Sequence, residues 1–151
     1  MKKFFILFLL CAVTFISRAE SSQWLTNFGA AKKQARQEDK KILLLFTGSD
    51  WCPWCQKWEK EALSKPEFLS YAKTNLVLLV VDFPEKKPLP KIQAKANEVL
   101  RQEYNAEEFP LAVVTDAKGK KLAAFKYLEG GPKVVIDKLE TVRSEATAQK
   151  K

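Results

Sequence analysis

The residues of this chain that could carry chemistry are two cysteines in the segment Trp51-Cys-Pro-Trp-Cys55. Because only two residues separate them, the sulfur atoms come within bonding reach, and the pair can alternate between a dithiol and a disulfide. Cys52 could then attack a substrate disulfide, and Cys55 could resolve the mixed disulfide that forms. The side chains of Trp51 and Trp54 would shield the pair and offer apolar surface to a polypeptide substrate.

The sequence places this pair directly after a buried strand and at the start of a helix. Residues 41–47 form a largely apolar run, which residues 48–50 end. A helix N-terminus presents unpaired N–H groups and the positive end of its dipole, and both stabilise a thiolate. Pro53 fits the first helical turn, where its missing N–H is not needed. We therefore expect Cys52 to gain most from the helix start, and Cys55 to lie a turn deeper and be poorly accessible.

Three other interpretations compete with redox chemistry: a structural disulfide, a site for a metal ion (zinc or copper) and an accidental pair of core cysteines. A permanent structural disulfide would close so short a loop that it would stabilise the fold weakly. A zinc site would need two further soft ligands, whereas the chain has no histidine and its one other cysteine is Cys11. Two thiolates can hold copper(I), so a copper carrier stays an alternative, as does an accidental pair of core cysteines. The strand-to-helix setting favours redox chemistry, because it lowers the pKa of a thiol.

The overall composition restricts the other classes of function. Hydrophobic residues make up 46% and charged residues 29% of the 151-residue chain, which is typical of one compact soluble domain. The absence of histidine excludes Cys–His and Ser–His catalysis and every zinc site that needs an imidazole. The net charge is +8, but no nucleic-acid-binding motif is present, and we expect no nucleic acid partner.

Residues 1–19 have the pattern of a secretory signal peptide. Two lysines precede the apolar run 4–16, and Ser17 and Ala19 place small residues at the −3 and −1 positions of a cleavage site. The run is too short for a membrane span, which needs about 20 apolar residues. We expect cleavage after Ala19, export to the periplasm or beyond, no membrane insertion afterwards, and a single domain over residues 20–151. Cleavage removes three basic residues and no acid, which lowers the net charge from +8 to +5.

The hydrophobic pattern of the remaining chain alternates between helices and strands. Helices are predicted over about 24–38, from Cys52, from Pro66, over 92–104 and from Pro132, with a polar tail that frays from about residue 145. Strands are predicted at 41–47, 76–82, 111–115 and 121–127. The last two would form a hairpin with Gly119 at its sharp position.

This order of elements predicts a three-layer α/β fold. The runs 41–47 and 76–82 would form a parallel pair, to which the hairpin adds antiparallel strands. The result would be a mixed central sheet flanked by helices on both faces. In the helix over 92–104, four apolar residues are expected to face inward, namely Ile92, Ala96, Val99 and Leu100.

Two segments resemble those of thioredoxin-fold proteins. Residues 43–55 resemble the active-site strand and helix of that superfamily, and residues 108–120 resemble its cis-proline strand and the hairpin that follows. Within the superfamily, the segments 47–52, 81–84 and 109–110 are most similar to periplasmic thioredoxin-like disulfide reductases of the chlamydial DsbH type.

The resemblance implies roles for individual residues. Cys52 would be the nucleophile and Cys55 the resolving thiol. Pro110 would follow a cis peptide bond, and the backbone of Phe109 would face the cysteines and pair with an extended substrate segment. These residues, with Trp51 and Trp54, form the predicted site.

The resemblance also implies an activity and partners. We expect an exported, monomeric thiol:disulfide oxidoreductase that reduces disulfide-bonded proteins, with a disulfide oxidase or isomerase as the alternative. No organic cofactor is expected, since the dithiol itself carries two electrons. Re-reduction in the periplasm implies a membrane electron donor of the DsbD kind.

The chain departs from the thioredoxin pattern at two places. Thioredoxin carries a buried aspartate six residues before its first active-site cysteine, whereas this chain has Phe46 there. Asp50 is nearer in sequence and is expected in the exposed loop, so the group that handles the Cys55 proton stays open. The family's usual first strand is also not evident between Glu20 and Trp24.

Overall fold

The fold is built on one mixed sheet, seen in a computed structural model that describes residues 23–148. The strands lie side by side in the order β1-β3-β2-β4-β5. They comprise Trp24–Leu25 (β1), Lys41–Thr47 (β2), Leu76–Asp82 (β3), Leu111–Thr115 (β4) and Lys121–Lys126 (β5). The signal peptide expected over residues 1–19 lies outside the described residues.

Helices cover both faces of this sheet. They comprise Phe28–Glu38 (α1), Pro53–Trp58 (α2), Pro66–Asn75 (α3), Lys91–Glu103 (α4) and Gly131–Ala148 (α5), and a π-helical turn, Glu59–Leu63, follows α2 directly. One apolar cluster joins α2, α3 and α5 to the sheet, and a second joins α1 and α4 to the opposite face. The predicted three-layer architecture is therefore confirmed. None of the helices within residues 23–148 has the length and apolar character that a membrane crossing requires.

The two long strands at the centre of the sheet are buried on both faces, as their apolar sequences predict. β2 runs parallel to β3, from Lys41 opposite Leu76 to Thr47 opposite Asp82, and antiparallel to β4. Side chains of β2 alternate between the two apolar clusters, so neither face of the strand meets water. The end of β2 is thereby fixed in the sheet, directly before the cysteine segment.

The prediction of a helix from residue 24 is wrong at its start. A short first strand, which the sequence does not make evident, lies there instead. Trp24 and Leu25 form β1, a parallel strand opposite Leu78 and Leu79 of β3. Trp24 packs against one apolar cluster and Leu25 against the other, which is the alternation of a strand. The helix begins only after Asn27, whose side chain caps it by accepting the backbone N–H of Ala30 at 2.8 Å.

The predicted orientation of α4 is also wrong for three of its four apolar residues. Ile92 is 88% exposed, and Ala96 and Val99 are exposed as well, whereas Leu100 is buried as expected. A polar residue, Asn97, faces the sheet instead. Its Nδ2 donates to the Asp82 carbonyl at 2.8 Å, and its Oδ1 accepts from the Gln93 side chain at 2.7 Å. These two hydrogen bonds satisfy the buried amide, so a polar residue can hold the inward position of the helix.

The C-terminal helix is longer than the sequence predicts. It continues to Ala148, whereas fraying was expected from about residue 145. Polar side chains in this last part bond back along the helix: the Thr147 hydroxyl donates to the Arg143 carbonyl, and the Arg143 guanidinium pairs with Glu140. These local bonds extend the helix beyond its last buried residue, Val142.

Candidate active site

The two cysteines lie at the predicted junction between strand and helix. Cys52 is the residue that caps α2, Pro53 is the first helical residue, and Cys52 and Cys55 form a disulfide with their Cα atoms 5.3 Å apart. The Sγ atom of Cys52 accepts the backbone N–H of Cys55 at 3.2 Å. The helix start therefore directs an N–H group and the positive end of its dipole at the Cys52 sulfur.

Exposure does not distinguish the two cysteines in the disulfide form. Cys52 is 4% and Cys55 5% exposed, so Cys55 is poorly accessible, but Cys52 is equally so. The neighbouring tryptophans are the exposed part of the site, with Trp51 at 40% and Trp54 at 56%. A partner that reaches the sulfurs must therefore contact aromatic surface first.

The loop before Cys52 depends on a glycine that sequence reasoning did not single out. The Trp51 indole lies over Gly48 so closely that a Cβ atom at residue 48 would come within 2.3 Å of its ring. The Gly48 carbonyl also accepts the backbone N–H of Cys52 at 2.9 Å. Ser49 then anchors the loop to β3, because its backbone N–H and its hydroxyl both donate to the Asp82 carboxylate, at 2.9 and 2.6 Å. A glycine directly after a buried strand is the signal that could have indicated this close approach.

Three aromatic residues next to the cysteine loop form a group that we call the Phe83 cluster: Trp51, Phe83 and Phe109. The rings of Phe83 and Phe109 stack with centroids 5.1 Å apart, and the Trp51 ring lies 6.0 Å from that of Phe109. The Trp51 indole N–H donates to the Phe83 carbonyl at 2.7 Å. The Phe109–Pro110 peptide bond is cis. The cluster thus brings the segment around Pro110 to the cysteine loop.

A second aromatic group lies on α2 and at the end of β5. The Lys57 ammonium lies 5.1 Å from the centroid of the Trp54 ring and 5.4 Å from that of Tyr127. Its hydrogen bond to the Tyr127 hydroxyl is the largest of the causes that raise the pKa of Lys57. The Tyr127 hydroxyl in turn donates to the Glu61 carboxylate at 3.0 Å. Sequence reasoning missed Tyr127, because only the fold brings the end of β5 to Trp54.

The Asp50 side chain is fixed by hydrogen bonds to the loop that follows β3. Its carboxylate accepts the backbone N–H groups of Glu85, Lys86 and Lys87, at 2.9, 2.7 and 3.2 Å. These bonds, that of Glu85 foremost, lower the pKa of Asp50. Asp50 therefore joins the cysteine loop to the lysine-containing loop after β3.

In the sequence, Phe46 lies at the position where thioredoxin has its buried aspartate. Its side chain is fully buried, and its ring lies 6.3 Å from that of Tyr104, in the apolar cluster under α1 and α4. Within residues 23–148, no group of three or more His, Cys, Asp or Glu side chains could hold a metal ion.

Comparisons with known proteins agree with this geometry. The family described as the thioredoxin-like domain matches residues 28–130. This chain belongs to the thioredoxin-like family. It is 37% identical over 123 residues to the disulfide bond reductase DsbH of Chlamydia pneumoniae, which covers 82% of this chain and 74% of that protein. A solved structure of a DsbH oxidoreductase matches with a TM-score of 0.75 and 36% identity, covering 79% of this chain and 82% of that one.

The chain is also similar to two more distant proteins. The thioredoxin-related protein DsbJ of Chlamydia pneumoniae is 23% identical over 104 residues, which are 69% of this chain and 30% of DsbJ. The reduced C-terminal domain of Neisseria meningitidis DsbD matches with a TM-score of 0.58 at 20% identity, over 75% of this chain and 90% of that domain. With its family and its CxxC pair established, the chain is a thiol-disulfide oxidoreductase.

The bonds of Asp50 predict a pH-dependent contribution to stability. We expect Asp50→Asn to lower the urea midpoint of unfolding at neutral pH, because a carboxylate accepts N–H groups more strongly than an amide does. Since the pKa of Asp50 is lowered in the folded protein, its contribution is complete above the ordinary value of 3.8 and is lost as the pH falls through the folded-state value. The difference in midpoint between protein and variant should therefore be constant above about pH 4 and should shrink as the pH falls further.

A second charge variant controls for the change in net charge. Glu145→Gln removes one exposed carboxylate from α5, far along the chain from the cysteine loop. Its midpoint should follow that of the unaltered protein at every pH. A midpoint difference for Asp50→Asn that stays constant throughout the acid range would contradict the assigned role of the charged carboxylate.

Proposed function

We propose that this chain is an exported reductase of protein disulfides. The observation that carries the proposal is the position of Cys52, whose sulfur accepts the Cys55 N–H at a helix start and lies in a rim of exposed tryptophans. The identity to the disulfide bond reductase DsbH supports the reducing direction. The expected substrate is a disulfide-bonded polypeptide, since the surface that it must cross is aromatic.

The proposed reaction transfers two electrons in two exchange steps. The Cys52 thiolate attacks one sulfur of the substrate disulfide, forms a mixed disulfide, and releases the other substrate sulfur as a thiolate that takes up a proton. Cys55, after losing its proton, then attacks the Cys52 sulfur, which releases the second substrate sulfur and forms the Cys52–Cys55 disulfide. The dithiol carries both electrons, so no organic cofactor is proposed, and a membrane donor of the DsbD kind would restore the dithiol.

The substrate would bind across the rim and the segment before Pro110. The exposed side chains of Trp51 and Trp54 would provide apolar contact next to the disulfide. The backbone of Phe109, which precedes the cis peptide bond, would pair with an extended substrate segment. An extended segment forms its hydrogen bonds with main-chain groups, so this mode of binding accepts many substrate sequences.

The direction of the reaction predicts a low reduction potential for the cysteine pair. Pro53 and Trp54, between the cysteines, cannot bear positive charge, and the Lys57 ammonium lies over two aromatic rings. The thiolate is then less stabilised than in a strong oxidant, so the disulfide is relatively more stable. We expect a potential nearer to that of thioredoxin, about −270 mV, than to that of DsbA, about −120 mV.

Equilibration with glutathione or dithiothreitol buffers, read by thiol alkylation, measures this potential. Trp54→His is the matched variant, because an imidazolium between the cysteines would stabilise the thiolate and raise the potential. A potential of the unaltered protein above about −180 mV, the value of protein disulfide isomerase, would instead favour the oxidase or isomerase alternative.

The proposed division of roles predicts unequal trapping by the two cysteine variants. Cys55→Ser should accumulate mixed disulfides with substrate proteins, because the resolving thiol is missing. Cys52→Ser should accumulate few, because the sulfur at the helix start is missing. Non-reducing electrophoresis after alkylation compares them, with the double variant as the background. Equal trapping by both single variants, or stronger trapping by Cys52→Ser, would show that the roles are wrongly assigned.

Export predicts a processed N-terminus. The order of charged, apolar and small residues in 1–19 supports cleavage after Ala19. The intact mass of the protein recovered from its native cell envelope should therefore correspond to a chain that begins at Glu20. Recovery of the full-length chain from the membrane fraction would overturn the proposal of a cleaved signal.

A further inference from the structure

Phe83 contacts both segments that would meet the substrate. Its ring stacks on that of Phe109, with 5.1 Å between centroids and 23° between planes. Its carbonyl oxygen accepts the indole N–H of Trp51, the residue directly before Cys52, at 2.7 Å. One residue from the loop after β3 therefore joins the segment before Pro110 to the cysteine loop.

Hydrogen bonds fix the backbone at Phe83 and in the residues that follow it. Its backbone N–H donates to the Thr47 carbonyl at 2.9 Å and continues the pairing of β3 with β2 by one step. After it, the backbone N–H groups of residues 85–87 donate to the Asp50 carboxylate. The ring of Phe83 is thus attached to the most buried strands of the sheet, whereas Phe109 belongs to a loop before β4.

We propose that Phe83 is a positioning residue for substrate binding, whose ring holds the backbone of Phe109 at a set place beside Cys52. The proposal rests on the proposed function, in which the Phe109 backbone pairs with an extended polypeptide. The Phe83 ring stacks on Phe109, so in this proposal Phe83 acts through Phe109 and not on the reacting atoms. It follows that Phe83 matters for polypeptide disulfides and not for small disulfides, which do not extend along Phe109.

The variant Phe83→Ala removes the ring but leaves the backbone bonds to Thr47 and Trp51. We expect the KM for a short peptide with one intramolecular disulfide to rise about 3- to 10-fold, the range that loss of one aromatic pair would give. The kcat for this peptide should change little. Two quantities measured on Phe83→Ala should stay within about twofold of their values in the unaltered protein. They are the rate at which the reduced enzyme reacts with 5,5′-dithiobis(2-nitrobenzoate) and the equilibrium constant of the cysteine pair with glutathione.

Two further variants separate positioning from a general loss of structure. Phe83→Tyr keeps the ring and should restore the KM of the unaltered protein. Phe28→Ala removes a partly buried ring on α1, which packs edge-on against Tyr104 with 6.2 Å between centroids, and should leave the KM for the peptide unchanged. If Phe83→Ala does not fold, Phe83→Leu keeps apolar volume without a stacking face, and the same rise in KM is expected of it.

The outcomes distinguish this proposal from the proposed function. An unaltered protein that fails to reduce the peptide would contradict the proposed function itself. An active protein whose Phe83→Ala variant, or Phe83→Leu where that is used, keeps its KM would overturn the positioning role. A variant that loses reactivity toward the small disulfide, or shifts the glutathione equilibrium, to the same degree as it loses peptide affinity would also overturn it, because the ring would then act on the cysteine pair.

Discussion

The backbone N–H of Cys55, directed at the Cys52 sulfur at 3.2 Å, is the interaction on which the rest of the site depends. It exists because β2 is buried on both faces and ends just before a loop that can turn into α2. A charge at such a helix terminus gains about 0.3–1 kcal/mol when exposed and up to about 2 kcal/mol when partly buried. Both cysteines are almost fully buried in the disulfide, and burial acts against this gain because it removes a thiolate from water. The fold thus stabilises the attacking form of the sulfur through backbone groups at the start of α2.

The loops around the disulfide are positioned by directional bonds to the backbone rather than by ion pairs. Pairs such as Lys133–Asp137 and Lys126–Glu108 are exposed, and exposed pairs contribute about 0–1 kcal/mol. Asp50, in contrast, accepts three consecutive N–H groups, and the Trp51 indole donates to a main-chain carbonyl. Bonds of this kind fix the course of a loop, because they specify both a distance and a direction. The cysteine loop, the loop after β3 and the segment before Pro110 are therefore connected to one another and not only to the sheet.

Sequence patterns predict the parts of this protein whose structure is decided locally. The runs that become β2 and β3 and the turn at Gly119 were predictable, because continuous burial and a glycine in the left-handed region leave few alternatives. β1 was missed because two residues are too few to show a period. The orientation of α4 was missed because a buried amide, Asn97, took the inward position that apolar side chains were expected to hold. The contacts of Phe83 with Phe109 join residues 26 positions apart in sequence, and no local pattern contains them.

Membership of the thioredoxin-like family does not by itself set the direction of electron flow, because the helix terminus stabilises the thiolate in oxidants and reductants alike. The direction depends on which other groups of the protein stabilise the thiolate in addition to the helix terminus. In this chain the residues between the cysteines are uncharged, and the ammonium of Lys57 interacts with the faces of Trp54 and Tyr127. The nearest acid in sequence, Asp50, is engaged by the loop after β3, and Phe46 is apolar. Little beyond the helix terminus therefore favours the thiolate over the disulfide. A disulfide that is not disfavoured forms readily, and a dithiol that converts readily to it gives up its electrons, which is the physical basis for the reducing direction that we propose.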